Sequence, residues 1–162
     1  MTKLKLSVFL FAGLISTTGA LAAERQEGMT GTVRAIGQFP GIYLIPGVSD
    51  NGGAANSGVA SSFHCSNPTP FSAQIQVVAW SWNGIVKANV TVTLPKLFTF
   101  TFSTHPTVIY FDDVNLATGL LNQGFVKIYA NNGNIVCSAH TLDASPNKSF
   151  EGSLNIRSTA GD

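Results

Sequence analysis

Residues 73–94 read AQIQVVAWSWNGIVKANVTVTL, and this stretch decides the fold class. Apolar and polar side chains alternate on both sides of Asn83-Gly84, whose residues both tolerate a positive φ and therefore favour the tight turn of a β-hairpin. Alternation with period two is the pattern of a strand that buries one face. The stretch predicts two antiparallel strands, and one face of the second strand is formed by Val86, Ala88, Val90, Val92 and Leu94.

The same alternation continues after residue 58, and turn-forming residues interrupt it about every eight to twelve positions. Many short strands separated by such turns are typical of a sandwich or a barrel. We predict an all-β fold, a two-sheet antiparallel sandwich with its core over residues 59–157. Residues 24–58 are predicted to be an irregular N-terminal segment with candidate edge strands at 31–36 and 42–45, and residues 158–162 a polar tail.

The first 23 residues have the order of a secretory signal peptide. Lys3 and Lys5 precede an apolar run over residues 6–15, and small residues follow, ending in Ala22 and Ala23. We expect cleavage near Ala22 or Ala23 and a secreted or periplasmic mature protein. The apolar run is shorter than the roughly 20 residues that cross a bilayer, and no later stretch approaches that length. We therefore expect no membrane span in the mature chain.

Two cysteines, Cys65 and Cys137, remain in the mature chain. In an oxidising compartment an even count predicts one disulfide. A bridge across 72 positions contributes about 4 kcal/mol to stability in the chain-entropy model. Because a bridge between distant strands is a natural tie between facing sheets, the disulfide favours the sandwich over the barrel.

The order of features over roughly residues 59–157 resembles known exported proteins. It comprises FHCSN at 63–67, the strand-Asn-Gly-strand hairpin, a Leu94-Pro95 turn into a Thr-rich strand, and IVCSA at 135–139. This order resembles small exported bacterial proteins of unassigned function, and also immunoglobulin-like sandwiches with an inter-sheet cystine. The resemblance implies an immunoglobulin-like architecture and no particular function. It also implies that Trp80 or Trp82 is the counterpart of the tryptophan that packs on the cystine in antibody domains.

Trp80 and Trp82 are the candidate ligand-binding residues. Two positions apart in a strand, their rings are expected to lie side by side on one face, which also carries Gln74 and Gln76. Adjacent exposed indoles form a flat apolar platform on which a sugar ring or another aromatic surface stacks. The alternative is that both rings cover the end of the core beside the hairpin.

Three histidines raise the question of a metal site. His64 is one residue from Cys65 and His140 three from Cys137, so both point away from the cystine side of their strands. If the bridge joins two sheets, the two rings lie on opposite outer surfaces; if the two strands are neighbours in one sheet, the rings approach each other. We expect His64, His105 and His140 to be solvent-exposed and to bind no metal.

Other chemistry has weaker support in the sequence. Asp112-Asp113 with Asn115 offers oxygen ligands for calcium, but no spaced ligand set follows, so a solvated loop is expected. No nucleophile–base or carboxylate pair can be placed together from the sequence. We therefore expect no cofactor and no enzymatic activity, with a hydrolase as the least favoured alternative.

The net charge of the mature chain predicts against two classes of partner. Removing Lys3 and Lys5 leaves seven basic and eight acidic residues, which is no electrostatic footprint for nucleic acid or an anionic membrane. We predict a non-catalytic exported binding or surface module whose partner is a carbohydrate or a surface protein. The alternative is a structural or assembly subunit at the cell surface that pairs through a strand edge, for which the Thr-rich residues 97–102 are the candidate.

Overall fold

The computed structural model describes residues 35–110 and 113–159, so the predicted signal peptide, most of the candidate strand at 31–36 and Asp112 lie outside the described residues. The described residues form ten strands and no helix. The strands are β1 (Gly41–Asp50), β2 (Val59–Ser66), β3 (Ala73–Ser81), β4 (Val86–Leu94), β5 (Thr99–Ser103), β6 (Asp113–Asn115), β7 (Leu121–Ala130), β8 (Val136–Asp143), β9 (Glu151–Ser153) and β10 (Arg157–Ser158).

The strands form two five-stranded sheets. The first sheet has the order β10-β1-β7-β3-β4, and the second has the order β6-β5-β2-β8-β9. All pairs are antiparallel except β5 and β6, which run parallel with Thr101 opposite Asp113. The prediction of an all-β fold is confirmed, and the prediction of purely antiparallel sheets is wrong, because β6 pairs in parallel with β5. In the described residues no helix is long and apolar enough to span a membrane.

One hydrophobic core contains side chains from both sheets. Ile45, Ile75 and Ile128 come from three neighbouring strands of the first sheet, and Phe63 and Phe102 come from the second. All five are fully buried. Alternation places every second residue of these strands on the outer face of its sheet.

The segment predicted to be irregular contains β1, an internal strand of the first sheet between β10 and β7. Its Ile45 and Val48 are fully buried. Register shifts near Pro46 and Val48, with Gly47 at φ 79°, change the side-chain parity along the strand. A bulge of this kind breaks the period-two pattern, which is why the sequence does not display this strand clearly.

The predicted disulfide is present, but it does not join facing sheets. Cys65 in β2 lies directly opposite Cys137 in β8, with their Cα atoms 4.2 Å apart. Both strands belong to the second sheet. The expected tie between sheets is therefore wrong, and the bridge links two neighbouring strands that are 72 positions apart in the chain.

Candidate functional site

The β3–β4 hairpin does not turn at Asn83-Gly84 alone. The amide of Gly84 donates to the carbonyl of Ser81 at 2.9 Å, so Trp82 and Asn83 occupy the two corners of the turn. Gly84 follows with φ 80°, and the amide of Ser81 donates to the carbonyl of Ile85 at 2.9 Å. This is a three-residue hairpin loop in which a glycine takes the left-handed position. The turn removes Trp82 from the strand and leaves its side chain 75% exposed.

Trp80 lies on the outer face of the first sheet and stacks on Phe125. The two rings are within 10° of parallel and their centroids are 5.0 Å apart. Trp80 is also paired in register with Val86 on β4, and Phe125 with Pro46 on β1. Because directly opposite residues share a face, these four side chains form a row across four strands. We call Pro46, Phe125, Trp80 and Val86 the apolar row; at about 4.8 Å per strand it is about 14 Å long.

The apolar row ends beside two exposed residues of the turn, Trp82 and Ile85. We call the apolar row together with these two residues the hairpin surface. The structure does not place the two tryptophans side by side on one strand, as the sequence suggested, because the strand ends at Ser81 and the register shifts between Ala79 and Trp80. Trp80 also lies in the first sheet, away from the cystine of the second, and so is not the counterpart implied by the resemblance to antibody domains.

His64 and His140 meet on the outer face of the second sheet, because β2 and β8 are neighbours there. Their ring centroids are 5.4 Å apart, and the edge of Tyr110 contacts His64 with a centroid distance of 4.4 Å. His64 Nδ1 is 3.0 Å from Thr101 Oγ1, and His140 Nδ1 is 3.4 Å from a carboxylate oxygen of Glu151. Burial, reinforced by the neighbouring His140, lowers the pKa of His64. The ring of His64 is therefore held neutral more strongly than that of an exposed histidine.

His105 is buried, contrary to the expectation from sequence, and pairs with Asp50. Its Nδ1 lies 2.8 Å from Asp50 Oδ2, and its Nε2 lies 3.1 Å from the carbonyl oxygen of Ser57. The other carboxylate oxygen of Asp50 accepts the Gly52 amide at 2.6 Å. Both ring nitrogens of His105 lie within hydrogen-bond distance of acceptors, and the pair ties the 51–58 loop to β1 and the 104–110 segment.

Of the two aspartates considered as calcium ligands, Asp112 and Asp113, the structure describes one. Asp112 lies outside the described residues, whereas Asp113 is in β6 and its Oδ2 accepts the amide of Thr107 at 3.2 Å and its hydroxyl at 2.9 Å. Burial raises the pKa of Asp113 although these hydrogen bonds act in the opposite direction. Its carboxylate therefore holds Thr107 against the start of β6.

The described part of the chain contains no group of three His, Cys, Asp or Glu side chains arranged to hold a metal ion. His105 contacts Asp50 and the Ser57 carbonyl oxygen through its two ring nitrogens, and the Nδ1 atoms of His64 and His140 contact Thr101 and Glu151. The hairpin surface presents aromatic and aliphatic side chains to solvent.

Sequence reasoning missed Phe125, Asp50 and Pro46 as members of these arrangements. The sequence does contain a sign of the role of Asp50. Asp50 lies two positions after the buried Val48 at the end of the same strand, and this spacing predicts an inward-facing carboxylate that needs a partner. The sequence contains no such sign for Phe125 and Pro46, since their meeting with Trp80 depends on β7 lying between β1 and β3.

Comparisons with known proteins give little beyond this geometry. No protein-family model matches the chain, and no curated protein is significantly similar to it. A solved structure titled "Crystal Structure of Thermotoga maritima 1070" is similar with a TM-score of 0.46 and 14% sequence identity, covering 76% of this chain and 93% of that chain. A likeness at that TM-score supports no inference about the function of this chain.

Proposed function

We propose that the protein is an exported, non-catalytic binding module that holds its ligand against the hairpin surface. The observation that carries the proposal is the apolar row across four strands, flanked by a tryptophan that is 75% exposed. Soluble domains rarely leave several large apolar side chains together in solvent unless another molecule covers them.

The chemistry of the hairpin surface favours a ligand with a flat, weakly polar face. No charged side chain belongs to this surface, and Asn83 and Gln123 lie beside Trp82 as neutral hydrogen-bonding groups. Trp80 and Phe125 stack on each other and are partly exposed, while Trp82 is 75% exposed. A carbohydrate, whose ring faces carry C–H groups and whose edges carry hydroxyls, matches this combination, and an aromatic patch on a surface protein is the other partner of the same chemistry.

Tryptophan fluorescence tests the proposal directly, because both tryptophans of the chain belong to the hairpin surface. We expect a soluble oligosaccharide or polysaccharide that binds to shift or quench the emission, and the Trp82→Ala variant to lose at least ten-fold in affinity with an unchanged thermal midpoint. Phe71→Ala is the matched control, since Phe71 is equally exposed but precedes β3, at the end opposite the hairpin. A glycan array and a surface-protein pull-down that are both indifferent to Trp82→Ala would remove the proposal.

A second candidate function, assembly through a strand edge, is favoured by β4 and not by the predicted strand. Residues 97–102 contain the start of β5, which lies between β2 and β6 and is paired on both sides over Thr101–Ser103. In contrast β4 is nine residues long and, among the described strands, pairs only with β3. Its one charge is Lys87, so the edge has little of the protection that natural edge strands carry.

Sedimentation velocity measures this second function. Edge pairing predicts concentration-dependent dimers or longer assemblies that Thr93→Lys prevents, because Thr93 is exposed and a second cation on the edge opposes pairing. A monomer at all concentrations would exclude the edge as an assembly site.

Export and the sandwich architecture are part of the same proposal. The order of charged, apolar and small residues before residue 24 supports export, and so does the disulfide, since such bonds persist in oxidising compartments. A core that includes both sheets supports a two-sheet sandwich. The inter-sheet cystine was the main argument for an immunoglobulin-like sandwich, and this argument no longer holds because the cystine joins neighbouring strands of one sheet. N-terminal sequencing of the exported protein, expected to begin at Ala23 or Glu24, tests the first point.

A further inference from the structure

A second exposed apolar cluster lies at the opposite end of the sheets from the hairpin surface. The loop between β2 and β3 carries Phe71, and the loop between β4 and β5 carries Leu97 and Phe98. These side chains are 75%, 73% and 52% exposed. We call the three residues together with Lys96 the apolar tip. None of them belongs to the hairpin surface, and β3 separates the two features along its whole length.

The apolar tip is built on a single buried residue, Asn67. The backbone of Asn67 forms two hydrogen bonds to the β4–β5 loop. Its amide donates to the carbonyl of Phe98 at 2.9 Å, and its carbonyl accepts the amide of Leu97 at 2.8 Å. Its side-chain amide donates to the carbonyls of Phe71 at 2.7 Å and Pro95 at 3.2 Å. One amide side chain thus fixes both loops, and their apolar residues are held outward.

Leu97 shows that this arrangement works against local preference. Its φ is 61°, a left-handed conformation that a leucine adopts at a cost, and its side chain gains no burial in return. Packing among the described residues therefore does not account for the conformation of Leu97.

The charges near the apolar tip have one sign. The sequence contains no Asp or Glu between residues 51 and 111, a stretch that includes both loops. Lys96 is exposed and stands between Pro95 and Leu97. Three of the acidic residues that the structure describes, Asp50, Asp143 and Glu151, lie toward the other end of the sheets, and Asp113 lies beside Thr101 in the middle of β5. The tip is therefore apolar with a cation at its rim.

The exposed area of the tip decides between kinds of partner. At about 200 Å² per large side chain, the three exposed fractions amount to roughly 400 Å². A stable protein–protein interface, including a dimer of this chain, buries about 800 Å² on each partner. A lipid surface needs no such area, since a few inserted apolar side chains and a basic residue at the headgroups give reversible binding.

We propose that the apolar tip inserts into an anionic phospholipid surface, with Phe71, Leu97 and Phe98 in the acyl boundary and Lys96 at the headgroups. The long stem of Lys96 lets its ammonium group stay among the phosphates while the neighbouring side chains enter. Docked in this way, the protein would present the hairpin surface away from the membrane. The inference does not depend on what the hairpin surface binds.

Vesicle co-flotation of the mature protein tests the inference. We expect binding to vesicles of phosphatidylglycerol and phosphatidylcholine at low salt, and at least ten-fold weaker binding by Phe71→Ser/Leu97→Gly. This variant is expected to fold, because Phe71 is exposed and glycine suits the φ of Leu97. Lys96→Gln should weaken binding about five-fold, from about 1 kcal/mol per lysine near an anionic surface.

The control is Trp82→Ala, which removes an equally exposed apolar side chain at the opposite end and should leave vesicle binding unchanged. Failure to float with anionic vesicles, or undiminished flotation of Phe71→Ser/Leu97→Gly with an unchanged thermal midpoint, would overturn the inference. So would a dimer that this variant abolishes in sedimentation velocity, since the occupant of the tip would then be a second copy. Loss of vesicle binding in Trp82→Ala would assign the lipid to the hairpin surface instead.

Discussion

Removing His105 is expected to cost far more stability than its position in a loop suggests. The His105→Ala variant leaves the carboxylate of Asp50 buried beside the Gly52 amide at 2.6 Å and the Thr118 hydroxyl at 3.5 Å, without the His105 ring that contacts its Oδ2. Removing the partner of a buried carboxylate costs about 3–5 kcal/mol. It also frees the carbonyl of Ser57, which His105 holds at 3.1 Å. The loss is a large part of the 5–15 kcal/mol that stabilises an ordinary domain.

Thermal unfolding of the oxidised protein measures this loss. We expect the midpoint of His105→Ala to fall by about 10–20 °C, at roughly 4 °C per kcal/mol for a domain of this size. The matched control is the double variant Asp50→Ala/His105→Ala, which removes the buried charge together with its partner and should cost little more than His105→Ala alone. A loss below about 1 kcal/mol, or strictly additive single and double variants, would refute a buried pair that clamps the 51–58 loop.

Three further predictions concern the two sheets. Burial lowers the pKa of His64 below its ordinary value of 6.5, so His64 is protonated at a higher pH in the unfolded chain than in the folded protein. The free energy of unfolding should therefore fall as the pH drops below about 6.5 and level off below the folded pKa. His64→Gln should flatten this part of a series of denaturation curves measured at different pH. Reduction of Cys65–Cys137, verified by mass, should lower stability by about 4 kcal/mol, whereas titratable thiols in the untreated protein would contradict the bridge. Gly124→Ala should cost about 1–3 kcal/mol in urea denaturation, because its Cβ would meet the carbonyl oxygen of Trp80; an unchanged midpoint would place β3 and β7 farther apart.

Local pattern was enough to identify the fold class and the disulfide. In β2 to β4 the period-two alternation marks the buried face of each strand, as Phe63 and Ile75 show, and two cysteines in a chain with an export-like N-terminus leave one obvious pairing. The sequence did not predict β1 clearly, because Gly47 and the register shifts beside it disrupt that alternation. A bulge alters parity locally, and a pattern based on parity cannot follow it.

Outside β1 and the start of β4, alternation in the sequence determined which side chains face inward; the tertiary structure alone decided which strands are neighbours. The adjacency of β2 and β8 makes the cystine a link within one sheet and brings His64 to His140, and the position of β7 between β1 and β3 brings Phe125 to Trp80. Alternation is set by the geometry of the single strand, so any strand displays it. The order of strands results from the joint packing of distant segments, which no short stretch of sequence encodes.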